Sequence, residues 1–374
     1  MVESTRTIAP QPRARVRGMK EYHPPLGSRE LLRLDFNENT LACSPKVREV
    51  LGSISAGELT RYPEREPVET IVAAYLGLSA RQVALTNGVD EAIHVVFEAF
   101  LEAGDELLLP VPTYTMYEVY ASATDARIVT VQAADDLQFP FDRLLAAITP
   151  KTKIIAIANP NSPSGSAATR AQLLEIARRA PHAVLLVDEA YFHFHGETVI
   201  DQIDGFPNLF VTRTFSKAYG LAGLRIGVLA GPVELMRWVR RVLSPYSVNS
   251  LALACLPSAL EDTAYIEWYV GEVLAAIDDA NGRLLPDTHV TVTATTSSEQ
   301  NALIIPREAL HSENGKPYVF RVESGSLVRT AITIGTPNLT SVPITSGLKD
   351  GDVVATGSLN GLPLEEGVPV KVVR

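Results

Sequence analysis

Lys217 stands in the run Thr212-Arg213-Thr214-Phe215-Ser216-Lys217-Ala218-Tyr219-Gly220-Leu221-Ala222-Gly223-Leu224-Arg225-Ile226-Gly227, among hydroxyls and glycines. A single lysine in a loop is ordinarily a solvated cation. An amine followed eight residues later by the guanidinium of Arg225 can instead meet it on one phosphorylated ligand. Three other segments also follow apolar runs. Thr86-Asn87-Gly88-Val89-Asp90-Glu91 opens a helix. A glycine turn at a helix N-terminus offers free backbone N–H groups and the positive dipole end to an anion, although ordinary helix starts share that pattern. Asn159-Pro160-Asn161-Ser162-Pro163-Ser164-Gly165, taken alone, reads as a Pro/Gly-rich surface loop. Val187-Asp188-Glu189-Ala190-Tyr191 ends another apolar run, and its acid can cap a helix, ligate a metal or anchor a cationic ring.

The elements that must position these segments are legible from periodicity. Apolar residues at helical spacing predict a helix over 90–103, started by Asp90 and stopped by Gly104. Further helices are expected at 116–123, 142–148, 170–180, 233–243 and 264–276. Strands are expected at 106–109, 127–131, 153–158, 183–187, 209–212 and 226–229. Strands alternating with helices imply an α/β domain with a mostly parallel sheet flanked by helices. Ligands of such sheets bind where loops leave the carboxyl ends of strands.

After about residue 277 the texture changes. Residues 289–295, 318–322 and 327–334 alternate apolar with polar positions. Turn signals recur at Asn314-Gly315, Ser324-Gly325, Asp350-Gly351 and Asn360-Gly361. A small all-β module is expected there. The predicted organisation is an N-terminal arm at 1–33, an α/β domain at 34–276 and the β module at 277–374.

Composition excludes several classes. The chain has 374 residues, enough for two or three domains at roughly 100–200 residues each. Its 46% hydrophobic and 20% charged content excludes a mainly disordered chain. The net charge of −10 argues against nucleic-acid binding. The longest apolar runs, such as 183–187 and 251–256, fall far short of a membrane span. The 2 cysteines, Cys43 and Cys255, supply neither a disulfide framework nor a thiolate zinc site and fit a reducing cytoplasm. The arm is rich in arginine but lacks the apolar stretch of a signal peptide, so a solvated basic arm is expected; a transit peptide is the alternative. Phe192-His193-Phe194-His195 has two imidazoles at strand spacing without further ligands, so an ordinary strand or loop edge is expected rather than a metal site.

Taken in order, these marks resemble the fold-type I, class I/II pyridoxal-phosphate aminotransferases, nearest to those acting on histidinol phosphate in histidine biosynthesis. The resemblance covers about residues 22–276. Besides the four segments above, it is carried by Leu34-Asp35-Phe36-Asn37-Glu38-Asn39, Arg61-Tyr62-Pro63-Glu64 and Pro112-Thr113-Tyr114. It implies that Lys217 forms a Schiff base with pyridoxal 5'-phosphate and later moves a proton at the substrate α-carbon. It implies that Asp188 keeps the pyridine nitrogen protonated, that Tyr191 and Asn161 bond the phenolic oxygen, and that Tyr114 stacks on the ring. Arg225, Ser216, Thr214 and the backbone of Gly88, Val89 and Asp90 are implied to hold the phosphate. Tyr62 is implied to reach the neighbouring subunit's cofactor in a cytoplasmic homodimer, and Tyr22 and Asn37 to line the substrate entrance. The implied partners are a small amino donor and a 2-oxo acid such as 2-oxoglutarate. Ser164 stands where the family more often has Thr, and Val89 where Ser or Ala is common.

From about residue 277 the chain departs from that family. The segment expected to return and supply the arginine that clamps the substrate carboxylate is missing. In its place the sequence resembles the C-terminal end of a periplasmic adaptor subunit of an efflux pump. The matching marks are Leu285-Pro286, Ile305-Pro306-Arg307-Glu308-Ala309-Leu310, Tyr318-Val319-Phe320, Ser346-Gly347-Leu348-Lys349-Asp350-Gly351-Asp352 and Gly367-Val368-Pro369-Val370. Arg283, Arg307, Arg321, Arg329 and Arg374 lie there, and none matches the clamp. A natural or engineered fusion and an assembly or gene-prediction error both fit such a join. Three functional expectations follow: an aminotransferase, a non-catalytic chain that binds the cofactor or a partner, and a cofactor enzyme with altered chemistry such as decarboxylation.

Overall fold

The computed structural model describes residues 12–19, 21, 36–39, 41–134, 136–275, 303–313, 316–335, 341–357 and 364–370. Tyr22, the expected strand at 289–295 and the expected boundary near 276 lie outside them. The contact pattern divides the chain into two units, Met1–His289 and Val290–Arg374.

The first unit is built on seven strands: β1 (Val83–Thr86), β2 (Glu106–Val111), β3 (Arg127–Gln132), β4 (Thr152–Ala158), β5 (Val184–Asp188), β6 (Leu209–Thr214) and β7 (Gly227–Ala230). Their order is β1-β7-β6-β5-β4-β2-β3. Only β7 runs against its neighbours. The mid-sheet strands read as near-continuous apolar runs because helices cover both faces. Alternation along them divides the core. Leu107, Leu109, Ile154 and Ala156 pack on one face with Ile93 and Phe97 of the helix Gly88–Phe100. Leu108, Ile155 and Ile157 pack on the other face with Leu173 and Ile176 of the helix Arg170–Arg179.

The helices and strands expected between residues 90 and 276 are present with shifted ends. The helix expected from residue 90 starts at Gly88, whose φ of +74° turns the chain out of β1. Among the described residues, three helices of nine or more residues lie outside the periodic signals. Pro45–Ser53 is capped by Ser44, Glu66–Leu76 ends in left-handed Gly77, and Ser250–Glu261 contains Pro257. The Phe192–His195 segment corrects the expectation of strand spacing, since it forms one helical turn closed by left-handed Gly196. On the helix Thr263–Ala275, Ile266 and Tyr269 are buried while Trp268 and Leu274 are exposed.

The second unit holds two three-stranded sheets. One is formed by β9 (His311–Glu313), β10 (Lys316–Glu323) and β11 (Ser326–Ala331). The other is formed by β8 (Leu303–Pro306), β12 (Thr333–Ile334) and β13 (Ser341–Ser346). Its core is a separate cluster of Ile305, Ala309, Val319, Ile332, Val342 and Ile344.

Candidate active site

β5 and β6 deliver the central groups. Asp188 is the last residue of β5 and is paired in register with Thr212 of β6. Side chains in register on parallel strands share a face, and Thr212 Oγ1 accordingly donates to Asp188 Oδ1 at 2.9 Å. Tyr117, fully buried in the helix Met116–Ser122, donates to Oδ2 at 2.9 Å. The Ala190 N–H donates to Oδ1 at 3.1 Å. Burial pushes the Asp188 carboxyl up to about 6, against the opposing pull of these three donors.

Lys217 follows the end of β6. Its Nζ donates to the Phe36 carbonyl at 2.5 Å and lies 5.7 Å from the centre of the Tyr191 ring. Tyr191 leaves the end of β5, and its oxygen accepts from Asn37 Nδ2 at 2.9 Å. Asn37, Tyr191 and Lys217 therefore meet beside the mouth of the sheet.

A second cluster forms around Arg225. Arg225 adopts a left-handed backbone, φ 52°, and places Nη2 3.0 Å from Asp90 Oδ2. A Cβ at Gly88 would sit 2.5 Å from that same Nη2. A Cβ at Gly227 would sit 2.8 Å from the Val89 nitrogen. Glycine at both positions thus lets the guanidinium and β7 close onto the helix N-terminus. The Ser216 N–H donates to Thr214 Oγ1 at 3.0 Å, and both residues are buried. Tyr114 links this cluster to the one around Asp188. Its hydroxyl donates to Asp90 Oδ1 at 2.8 Å, and its ring meets Tyr117 edge-on at 5.9 Å. Burial first, then the Asp90 charge, pushes the Tyr114 phenol up.

Residues 29–282 match the family model for aminotransferase class I and II. The chain belongs to this family. Histidinol-phosphate aminotransferase 2 of Methylococcus capsulatus is 36% identical over 274 residues, covering 67% of this chain and 73% of its own length. Histidinol-phosphate aminotransferase of Caldanaerobacter subterraneus subsp. tengcongensis is 34% identical over 59% of this chain and 64% of its own. The chain thus spans about two thirds of the length of the relatives it matches. The crystal structure of histidinol-phosphate aminotransferase from Sinorhizobium meliloti in complex with pyridoxal-5'-phosphate has a TM-score of 0.61 and 26% identity, covering 64% of this chain and 67% of that one. Residues 303–358 match a different model, the CzcB C-terminal circularly permuted SH3-like domain.

Seen as an aminotransferase, the chain brings most of the expected site residues together and leaves two apart. Asn161 is engaged by its own loop and by the loop that follows β2. Its Nδ2 donates to the Pro112 carbonyl at 2.9 Å and to Ser164 Oγ at 2.7 Å, while Oδ1 accepts from Thr113 at 2.7 Å. The bond expected from Asn161 to a cofactor oxygen requires one of these to open. Tyr62 is 79% exposed and packs its ring on Tyr246 at 4.6 Å. Sequence reasoning missed Tyr117 and Thr212. Strand alternation signals Thr212, two residues before Thr214. Tyr117 is signalled only by standing one helical turn beyond Tyr114. Among the described residues no group of three or more His, Cys, Asp or Glu could hold a metal ion.

Proposed function

We propose that this chain is a pyridoxal-phosphate-dependent aminotransferase that moves the amino group of histidinol phosphate, or of a related amino acid, to a 2-oxo acid such as 2-oxoglutarate. The observation that carries the reading is the placement of one buried carboxylate, Asp188, at the end of β5 and of one amine, Lys217, just past the end of the neighbouring β6. The glycine-shaped anion cradle beyond them suits a phosphate.

The residues fit the cofactor. Asp188 is a carboxylate nearly sealed from water, and such a group is stabilised in its charged form by a cation brought against it. Arg225 and the N-terminus of the helix Gly88–Phe100 suit a dianion, and the lack of a side chain at Gly88 lets the guanidinium sit against that N-terminus. Bound here, pyridoxal phosphate supplies an aldehyde that captures amines and a ring that accepts negative charge. Asp188 would hold the ring nitrogen as a cation. Lys217 Nζ would move a proton between the substrate α-carbon and the cofactor's aldehyde carbon. Tyr114 would cover the ring, and Asn37 and Tyr191 would shape the entrance. A homodimer in the cytoplasm, with Tyr62 reaching across, completes the proposal.

A second reading, cofactor binding without turnover, is favoured by one observation. The aminotransferase match ends at residue 282, and a different model takes over from residue 303. Loss of a two-point carboxylate anchor lowers rate more than cofactor affinity.

Pyridoxal phosphate added to the purified chain should give a visible absorbance band that Lys217→Ala abolishes. Mixing with histidinol phosphate and 2-oxoglutarate should then yield glutamate. No band, or a band that survives in Lys217→Ala, rejects the cofactor assignment. A band without glutamate rejects turnover on this donor.

A further inference from the structure

Behind the face that carries Asp188 and Thr212, the next residue of each strand segment points the other way and meets its neighbour. Arg213 Nη2 lies 2.9 Å from Glu189 Oε2, and Nε donates to the same oxygen at 3.0 Å. Glu189 is 2% exposed and Arg213 is 6% exposed. The carboxylate is fully engaged. Thr198 Oγ1 donates to it at 2.7 Å, and the Val199 N–H donates to Oε1 at 2.8 Å. Arg213 Nη2 also donates to Thr198 Oγ1 at 2.8 Å, and the guanidinium lies 3.5 Å over the Phe192 ring.

A buried ion pair is a costly way to hold two strands, since well-packed apolar side chains of similar volume do as well or better for stability. What it adds is directional geometry: a planar fork fixes distance and angle, and an apolar contact does not. The location matters. Glu189 adjoins Asp188 and stands two residues before Tyr191. Arg213 adjoins Thr212 and Thr214 and stands four residues before Lys217. The Glu189 N–H also donates to the Thr212 carbonyl at 2.9 Å. Thr198 and Phe192 tie the segment that follows Tyr191 to the guanidinium, and the Val199 N–H ties it to the Glu189 carboxylate.

We propose that the Glu189–Arg213 pair is a positioning device that fixes Asp188 and Tyr191 on one strand end relative to Lys217 on the next. It rests on the aminotransferase reading and deepens it. Neither side chain touches the reacting atoms. Both act through residues that do.

The test uses the full chain loaded with pyridoxal phosphate. In Arg213→Met the visible band should still form, but the pH at which it changes colour should rise. A ring nitrogen less firmly held as a cation draws less electron density from the Lys217 nitrogen. Turnover number should fall about 10- to 100-fold, with a smaller change in KM, as expected for reacting groups displaced by a fraction of an ångström to an ångström. Arg213→Lys should recover part of the loss. If Arg213→Met fails to fold, Glu189→Gln combined with Arg213→Met removes both charges and leaves no unpaired ion, so the same readouts apply to it. A variant that is less stable yet keeps the wild-type colour midpoint and turnover number overturns the positioning role alone. A wild-type chain without the band overturns the aminotransferase reading and the positioning role with it.

Discussion

The Tyr117 hydroxyl donates to Asp188 Oδ2 at 2.9 Å, with both residues buried. The aspartate nevertheless keeps a carboxyl raised from 3.8 to about 6, because burial outweighs its three donors. The sign of the consequence follows from linkage. Between these two values the folded chain binds more protons than the unfolded one, so stability falls as pH rises through the window and stays low above it. A shift of that size costs roughly 3 kcal/mol above the folded value. In the cofactor-free protein, Asp188→Asn should therefore unfold at higher urea than wild type at pH well above 6, and the advantage should shrink at pH near 4. An unchanged difference between the two pH values would show that Asp188 is not a charge held at a cost.

Tyr117→Phe deletes one of the donors that pull the carboxyl down. The remaining carboxylate is harder to ionise, so its titration should move above about 6. Pyridoxal phosphate should bind this variant with an affinity optimum at higher pH than wild type. A band titrated across pH at fixed cofactor would show it, and superimposable profiles would contradict it.

Much of this was legible in the chain, and the exceptions have physical causes. The strand that ends at Asp188 and the one that leads to Lys217 are apolar runs followed by chemistry-bearing residues, so their positions followed from period and order. The helix Ser250–Glu261 was hidden because Pro257 interrupts its signal, although tertiary packing of Leu253, Leu256 and Leu260 holds it. Phe192–His195 alternates aromatic with imidazole like a strand. Left-handed Gly196 and the bond from the Gly196 N–H to the Phe192 carbonyl make it a helical turn instead. Tyr117 could not be assigned a role from spacing, because its bond to Asp188 spans 71 residues and exists only once the sheet is assembled.

Arg225 and Asp90 form a partly exposed pair at 3.0 Å, and such pairs contribute little to stability, typically under about 1 kcal/mol. The guanidinium matters for what else it can hold. Arg225→Met should leave the melting temperature nearly unchanged. It should weaken pyridoxal phosphate about tenfold or more, as expected for loss of a charge-assisted contact. Pyridoxal, which lacks the phosphate, supplies the control. Its affinity should hardly change, and an equal loss for both compounds would place Arg225 outside the anion cradle.

Gly88 is the sharper test of that cradle. A Cβ there meets Arg225 Nη2 at 2.5 Å, and the backbone sits at φ +74°, where an L side chain is strained by about 1–2 kcal/mol. The guanidinium is the far end of a flexible side chain, so it can swing away, and the fold should survive Gly88→Ala. The cost should appear as lost phosphate affinity: weaker pyridoxal phosphate, with pyridoxal much less affected. Gly223→Ala, where nothing lies within 4 Å, should bind like wild type. Equal affinities for the two alanine variants would mean that the guanidinium does not need the space beside Gly88.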